Sequence, residues 1–178
     1  MPMNGKIIYS LRIASVEDAA TIADLGRRTF SATFTLGNDP DDIRAYINEA
    51  FTPERILAEL EEPESSYLLV MDGDKIAGYG RIRPGEAPPS VGDANAVELE
   101  RIYIDEPWLG KGAGAFLMSA LLAEARKRGC QSVWLGVWEH NHQAIHFYEK
   151  YGLAVVGKKR FLLGGDKQTD LVMSGKLD

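Results

Sequence analysis

Cysteine is almost absent from this chain of 178 residues, and the single one, Cys130, closes off any internal disulfide and matches a reducing compartment. It reads as a structural side chain, since free cysteine is usually buried. No run approaches the roughly 18 apolar residues that a membrane-spanning helix requires. The opening residues MPMNGKIIYSLRIAS hold one lysine and a short apolar stretch broken by Tyr9, Ser10 and Arg12, without the small-residue cleavage site of a secretory leader. A cytoplasmic protein is the expectation. Gathered positive charge is lacking as well: 20 Lys and Arg stand against 26 Asp and Glu, a net charge of −6. Neither nucleic acid nor an anionic membrane is therefore an expected partner, whereas a cationic one is compatible. Internal repeats and low-complexity tracts are missing too. What is present is an ordinary globular composition, 45% apolar and 26% charged, in a chain the size of one domain, read as 1–178.

Patterning divides the chain into alternating elements. Ile7 to Ile13 is apolar and β-branched enough for a strand, and Ser15 with Asp18 three residues on signals a helix from about Val16 to Phe34. Asp39 to Asp42 opens a second helical region to about Glu62, interrupted at Thr52-Pro53, where Thr caps and Pro takes a first-turn position. Tyr67 to Met71 and Lys75 to Ile82 flank Asp72-Gly73-Asp74, a hairpin signal. Pro84 to Asn95 has the composition of an exposed, moving loop bordering a substrate entrance. Val97 to Ile104 is a strand, and the segment WLGKGAG leads into a helix from Gly112 to Arg128 that Gly129 terminates. Ser132 to Trp138 is the next strand, Asn141 caps a helix to Lys150, and two strands near Leu153 to Leu162 and Thr169 to Gly175 complete the chain. Strand, glycine turn, helix and strand form a βαβ unit, so the two strands are parallel and the turn lies at their carboxyl ends, where open sheets bind ligands.

In that turn, Gly110-Lys111-Gly112-Ala113-Gly114 begins a helix with small residues. Free backbone N–H groups and the helix dipole suit a pyrophosphate, and glycine permits both positive φ and close approach of phosphate oxygens. A P-loop would need a hydroxyl residue directly after Gly110-Lys111, and none is there. A dinucleotide fold would need an acid about 20 residues on at a strand end, yet the first acid in the strand region beginning near Ser132 is Glu139. A tight turn packed on the sheet with no ligand stays open as the bland alternative.

WLGKGAG followed by FLMSALL, and then NHQAIHFYEKYGL, resembles the two signature motifs of the GNAT superfamily of N-acetyltransferases, in order and at normal spacing. The resemblance is strong from about Glu98 to Gly157, and the N-terminal helices and hairpin are compatible with it. It implies an α/β fold, or α+β with a mixed, mostly antiparallel sheet, that splays between the strands ending near Ile104 and Trp138 to hold acetyl-CoA. Ile102, Tyr103 and Ile104 would offer main-chain hydrogen bonds to the pantetheine arm. Leu109, Gly110, Lys111, Gly112, Ala113 and Gly114 would surround the pyrophosphate, although Leu109 stands where the family often has Gln or Arg. Asn141 would be both a helix cap and a partner of the pantetheine arm. Homodimers are common among such folds.

Acetyl transfer to an amine needs a base for the amine proton and an acid for the departing thiolate. By the resemblance Tyr148 is that acid and also borders the cofactor; its bland alternative is a buried stripe with Ala144 and Ile145. Glu98 and Glu100 share one strand face and could take the amine proton, with Glu98 first; a solvated strand face is the alternative. His142 and His146 have the i, i+4 spacing of a metal pair, with His140 or Glu139 as a third ligand, but no metal site is assigned, and a proton-shuttling histidine near the cleft is the stronger reading. Trp134 and Trp138 read as core. Glu59 to Glu64 reads as a solvated helix end. The order Phe30 to Phe51 and then a Tyr-Gly hairpin resembles polyamine-type members of the family, and the resemblance implies a small amine as acceptor. A protein amino group, a non-catalytic acyl-CoA sensor and a histidine-based metal hydrolase are the other readings.

Overall fold

A computed structural model describes residues 5–178. The leader reading rests in part on residues 1–4, which lie outside the described residues. Among the described residues seven strands form one sheet in the order β1-β2-β3-β4-β5-β7-β6. They are β1 (Tyr9–Ile13), β2 (Ser66–Asp72), β3 (Lys75–Arg83), β4 (Ala96–Ile104), β5 (Ser132–Trp138), β6 (Ala154–Leu163) and β7 (Asp166–Lys176). Only β4 and β5 run parallel; every other neighbour is antiparallel. The mixed, mostly antiparallel sheet is therefore as expected, while β1 starts two residues later and β7 three residues earlier than the patterning implied. The β7 difference arises because Gly164-Gly165 turns the chain tightly, with Gly164 at φ 58° and the Gly165 N–H donating to Asp42.

Among the described residues five α-helices flank the sheet: α1 (Ala19–Phe34), α2 (Pro40–Ala50), α3 (Pro53–Leu60), α4 (Ala113–Lys127) and α5 (His142–Glu149). Their starts follow local chemistry. Ser15 and Asp18 form a capping box ahead of α1, Asp39 accepts from Asp41 N–H ahead of Pro40, and Thr52 accepts from Arg55 N–H ahead of Pro53. α4 lays Leu117, Met118 and Leu121 on one face of the sheet against Leu68, Val70, Ile82 and Leu99. On the opposite face α1 and α3 bring Ile22, Leu25 and Ile56 against Tyr67, Leu69 and Tyr79. This two-sided burial is why β2 reads as a continuous apolar run rather than an alternating one. Each fully buried Leu or Ile in these layers contributes about 1.5–3 kcal/mol.

Two sequence readings change here. Glu59 is not solvated: it is 2% exposed, and its carboxylate takes two hydrogen bonds from Arg101 and one from the Tyr67 hydroxyl. Glu62 likewise pairs with buried Arg81, leaving only the outer part of that stretch in water. The reason is tertiary, since both arginines arrive from β3 and β4. The loop from 84 to 95 is pinned at several points: Gly157 touches Ser90, Asp93 accepts from Ser132, and the Asn95 side chain donates to the Gly129 carbonyl.

Candidate functional site

β4 and β5 pair only at Ala96/Ser132, Val97/Val133 and Glu98/Trp134, then continue to Ile104 and Trp138 without pairing. The strands splay, and their facing main-chain edges are left for something else. A bulge sharpens the opening. The β3–β4 register slips between Tyr79 and Arg81, inserting one residue in β4, and Arg101 takes φ 54°. A non-glycine residue in that region is strained, and here the surroundings hold it: the Arg101 guanidinium is clamped by Glu59 at 3.0 Å and by the Tyr67 hydroxyl at 2.9 Å. Burial alone would raise the Glu59 carboxyl, but Arg101, Tyr67 and Arg81 outweigh it and hold it below its ordinary value.

At the far end of β4, the glycine turn lies where the βαβ reading put it. Gly110 and Gly112 have φ 71° and 86°, so positive φ is the reason for glycine at both, and a Cβ at either would meet nothing within 4 Å. Gly114 is helical, and a Cβ there would lie 3.8 Å from Ile104 and Phe147, an ordinary contact. Gly112 caps α4 without a side-chain hydrogen bond and no acid occupies the first turn. Among the described residues, the N–H groups of Gly110, Gly112, Ala113, Gly114 and Ala115 have no main-chain acceptor, whereas those of Leu109 and Lys111 donate to Glu106 and Trp108. The turn is held from outside by the Tyr9 hydroxyl, which donates to the Lys111 carbonyl, and by the Trp108 indole, which donates to Asp72. Leu109 itself is 59% exposed.

A cavity of about 230 Å³ occupies the splay. Glu98, Glu100, Ile102 and Tyr103 line it from β4, while Asn141 and Tyr148 line it from the α5 side. Ile104 is outside this lining and packs with the α4-side core. Asn141 caps α5 by accepting from Ala144 N–H at 3.2 Å. Tyr148 is 9% exposed, and burial alone pushes its phenol up, keeping it protonated. Glu98 is pushed above its ordinary value by burial first and by the Glu100 charge second, with Lys159, Arg83 and Arg81 opposing. Glu100 is held by Arg81 at 2.8 Å, which binds it into the structural charge cluster. The two glutamates thus share a face, but differ in commitment.

Several lining residues were not among the site candidates drawn from the sequence. Trp138, read as core, lines the cavity together with Phe30, Phe34, Tyr46 and Phe161. Lys159 and Asp170 complete the wall from β6 and β7. Asp170 left no clear sequence signal, since the strand that carries it begins with the polar run Asp166-Lys167-Gln168-Thr169. The histidines do not gather. His140 and His146 are exposed beside Glu139 and Glu149, and no histidine lines the cavity. Among the described residues no group of three His, Cys, Asp or Glu is placed to hold a metal ion, so the metal-hydrolase reading has no support in the geometry, while His140 packs edge-on against Trp138 with ring centroids 5.3 Å apart. Also among these residues, no helix is long and apolar enough to cross a membrane.

A sheet opened between two parallel strands, with a glycine-led helix lacking a side-chain cap at the mouth of the opening, offers free main-chain donors and unpaired strand edges to an elongated ligand. The sequence matches the acetyltransferase (GNAT) family over residues 27–153, and the chain belongs to that family. It is an acetyl-CoA-dependent N-acetyltransferase. An uncharacterized N-acetyltransferase from the pepI 3′ region of Lactobacillus delbrueckii subsp. lactis is 32% identical over 92% of this chain and 94% of its own. The spermidine N(1)-acetyltransferase of Thermoplasma acidophilum is 24% identical over 82% of this chain and 88% of its own. Among solved structures, the PaiA N-acetyltransferase of Thermoplasma acidophilum in complex with coenzyme A has the same fold, with TM-score 0.77, 21% identity, and coverage of 95% of this chain and 99% of that one.

Proposed function

We propose that the acceptor is a small primary amine of polyamine type, acetylated by direct attack within the cavity between β4 and β5. The observation that carries the reading is the cavity's lining: Glu98, Asp170 and seven aromatic side chains around a space of about 230 Å³. Carboxylates and aromatic faces both attract ammonium groups. The spermidine-acetylating relative supports the same class.

The free N–H groups from Gly110 to Ala115 fit a pyrophosphate, and the unpaired edges of β4 and β5 fit the amides of pantetheine. Acetyl-CoA supplies an activated acetyl carbon and a thiolate leaving group. Glu98 takes the proton of the attacking ammonium, directly or through water, its raised proton affinity making it a stronger base than a free carboxylate. The main chain at Ile102, turned by the bulge, polarises the thioester carbonyl. Tyr148 gives its proton to the departing sulfur, and Asn141 orders the α5 end that presents it.

The test is a panel of polyamines, monoamines, amino acids, aminoglycosides and peptides with detection of released CoA thiol. Polyamines are expected to react best, and Tyr148→Phe to lower kcat about 10²–10⁴-fold. Turnover with peptides alone would refute the acceptor class, and an unchanged Tyr148→Phe rate would refute the acid.

A further inference from the structure

Asp170 is a charged group in the cavity without a partner. It sits on β7 opposite Trp138 of β5 and Lys159 of β6, and is 8% exposed. Among the described residues no hydrogen bond reaches its carboxylate, and Lys159 acts on it through charge alone. Buried carboxylates ordinarily have hydrogen-bond donors or an ion partner, so one without either is costly and points to a ligand that brings the donor.

The space around it is shaped to leave it open. A Cβ on Gly136 of β5 would lie 3.2 Å from Asp170 Oδ2 and 2.5 Å from Lys159 Cε. Glycine therefore makes a floor over which both side chains extend. Lys159 reaches over the same glycine, its Nζ 3.1 Å from that Cβ position and 5.6 Å from the centre of the Trp134 ring. The aromatic wall is formed by two aromatic pairs, Phe34 with Trp138 and Tyr46 with Phe161, each with ring centroids 5.2 Å apart. A carboxylate beside π faces is a receptor for an alkylammonium: the anion takes the N–H groups and the rings take the chain and the charge.

The reacting amine must stand near β4, where Glu98 and the bulge are. β7 lies two strand spacings from β4, about 10 Å at roughly 4.8 Å each before the splay is added, and Asp170 pairs with Trp138, four residues along β5 from the Trp134 that pairs with Glu98. That separation is too far for one nitrogen to serve both ends and about right for an alkyl spacer of several carbons between two. We infer that Asp170 is a specificity-determining residue, holding a second, non-reacting ammonium of the acceptor, so that the enzyme selects diamines over monoamines. The inference rests on the amine-acetylation reading above.

Butane-1,4-diamine and 1-aminobutane make a matched pair differing only in the second ammonium. Wild-type enzyme is expected to favour the diamine in kcat/KM by about tenfold or more, as a charged hydrogen bond would give. Asp170→Asn is expected to collapse that ratio, with the loss lying in KM for the diamine. Lys159→Gln, which removes the cavity's opposing cation, is expected to lower the same KM. A merely structural Asp170 would depress both amines together and would not make the two variants move in opposite directions. Equal wild-type efficiency with both amines, or an Asp170→Asn ratio like wild type, overturns the inference while amine acetylation stands. If wild type acetylates neither these nor any other amine of the panel, the reading beneath it fails instead.

Discussion

Asp170→Asn is expected to stabilise the fold by an amount that grows with pH. Burial lifts the Asp170 carboxyl from 3.8 to about 6 in the folded chain, against the opposing effect of Lys159. The folded state then holds the proton more tightly than the unfolded one, so ionisation works against folding. Below pH 3.8 the penalty is absent; it grows between 3.8 and about 6 and is complete above that. At about 1.36 kcal/mol for each tenfold change in proton affinity, the wild type carries a penalty of about 3 kcal/mol at pH 8 and about 1 kcal/mol at pH 4.5. Asparagine keeps the shape and carries no charge, so it is free of this cost. In a chain of 178 residues each kcal/mol moves Tm by about 2–4 °C, giving a gain of about 6–12 °C at pH 8 and about 2–4 °C at pH 4.5. Thermal denaturation followed by circular dichroism at both pH values measures the pair. A variant destabilised at pH 8, or one whose gain is the same in both buffers, would show that Asp170 is not an unpaired buried carboxylate. A substitution that stabilises while it removes diamine selectivity is the pattern expected of a ligand-binding group.

Three further outcomes follow from the same geometry. Because Glu98 is raised by burial and by Glu100, kcat at saturating amine is expected to fall on the acid side at a pH above 4.5, and Glu98→Gln to abolish that limb with about a 10²–10⁴-fold loss; a limb that persists in the variant removes Glu98 from the role. Glu59→Gln breaks a buried pair under the β4 bulge and is expected to cost about 3–5 kcal/mol in urea denaturation, so a loss below about 1 kcal/mol would mean Arg101 is held by something else. Gly112→Ala must hold φ 86°, at a cost of about 1–2 kcal/mol with no clash to add, and is expected to weaken acetyl-CoA binding in calorimetry; an unchanged Kd would separate the turn from the pyrophosphate.

Much of the fold was legible because its signals are short-ranged. Ser15, Asp39, Thr52 and Asn141 mark helix starts through bonds made within three residues, and Gly73, Gly129 and Gly152 mark turns through their own φ. The βαβ order around WLGKGAG was enough to set β4 and β5 parallel and the glycine turn at their ends. In the candidate site, the residues of the two motifs were legible for the same reason: turn, cap and tyrosine lie in contiguous segments.

The rest was decided by register and burial. Glu59 and Arg101 stand 42 positions apart, and nothing near Glu59 in the chain announces that an arginine on a strained bulge will cover it. Trp138 reads as core by its alternation with Trp134, but β4 diverges from β5 just there, which turns a core position into a cavity wall. Lys159 and Asp170 become neighbours only through the β6–β7 register, and they face β4 only because β7 inserts between β5 and β6. The sequence by itself determined where helices and turns begin and which segment offers free N–H groups, since those depend on nearest neighbours along the chain. Which carboxylates are buried, paired or left open depends on which strands lie side by side, and that only the tertiary structure decided.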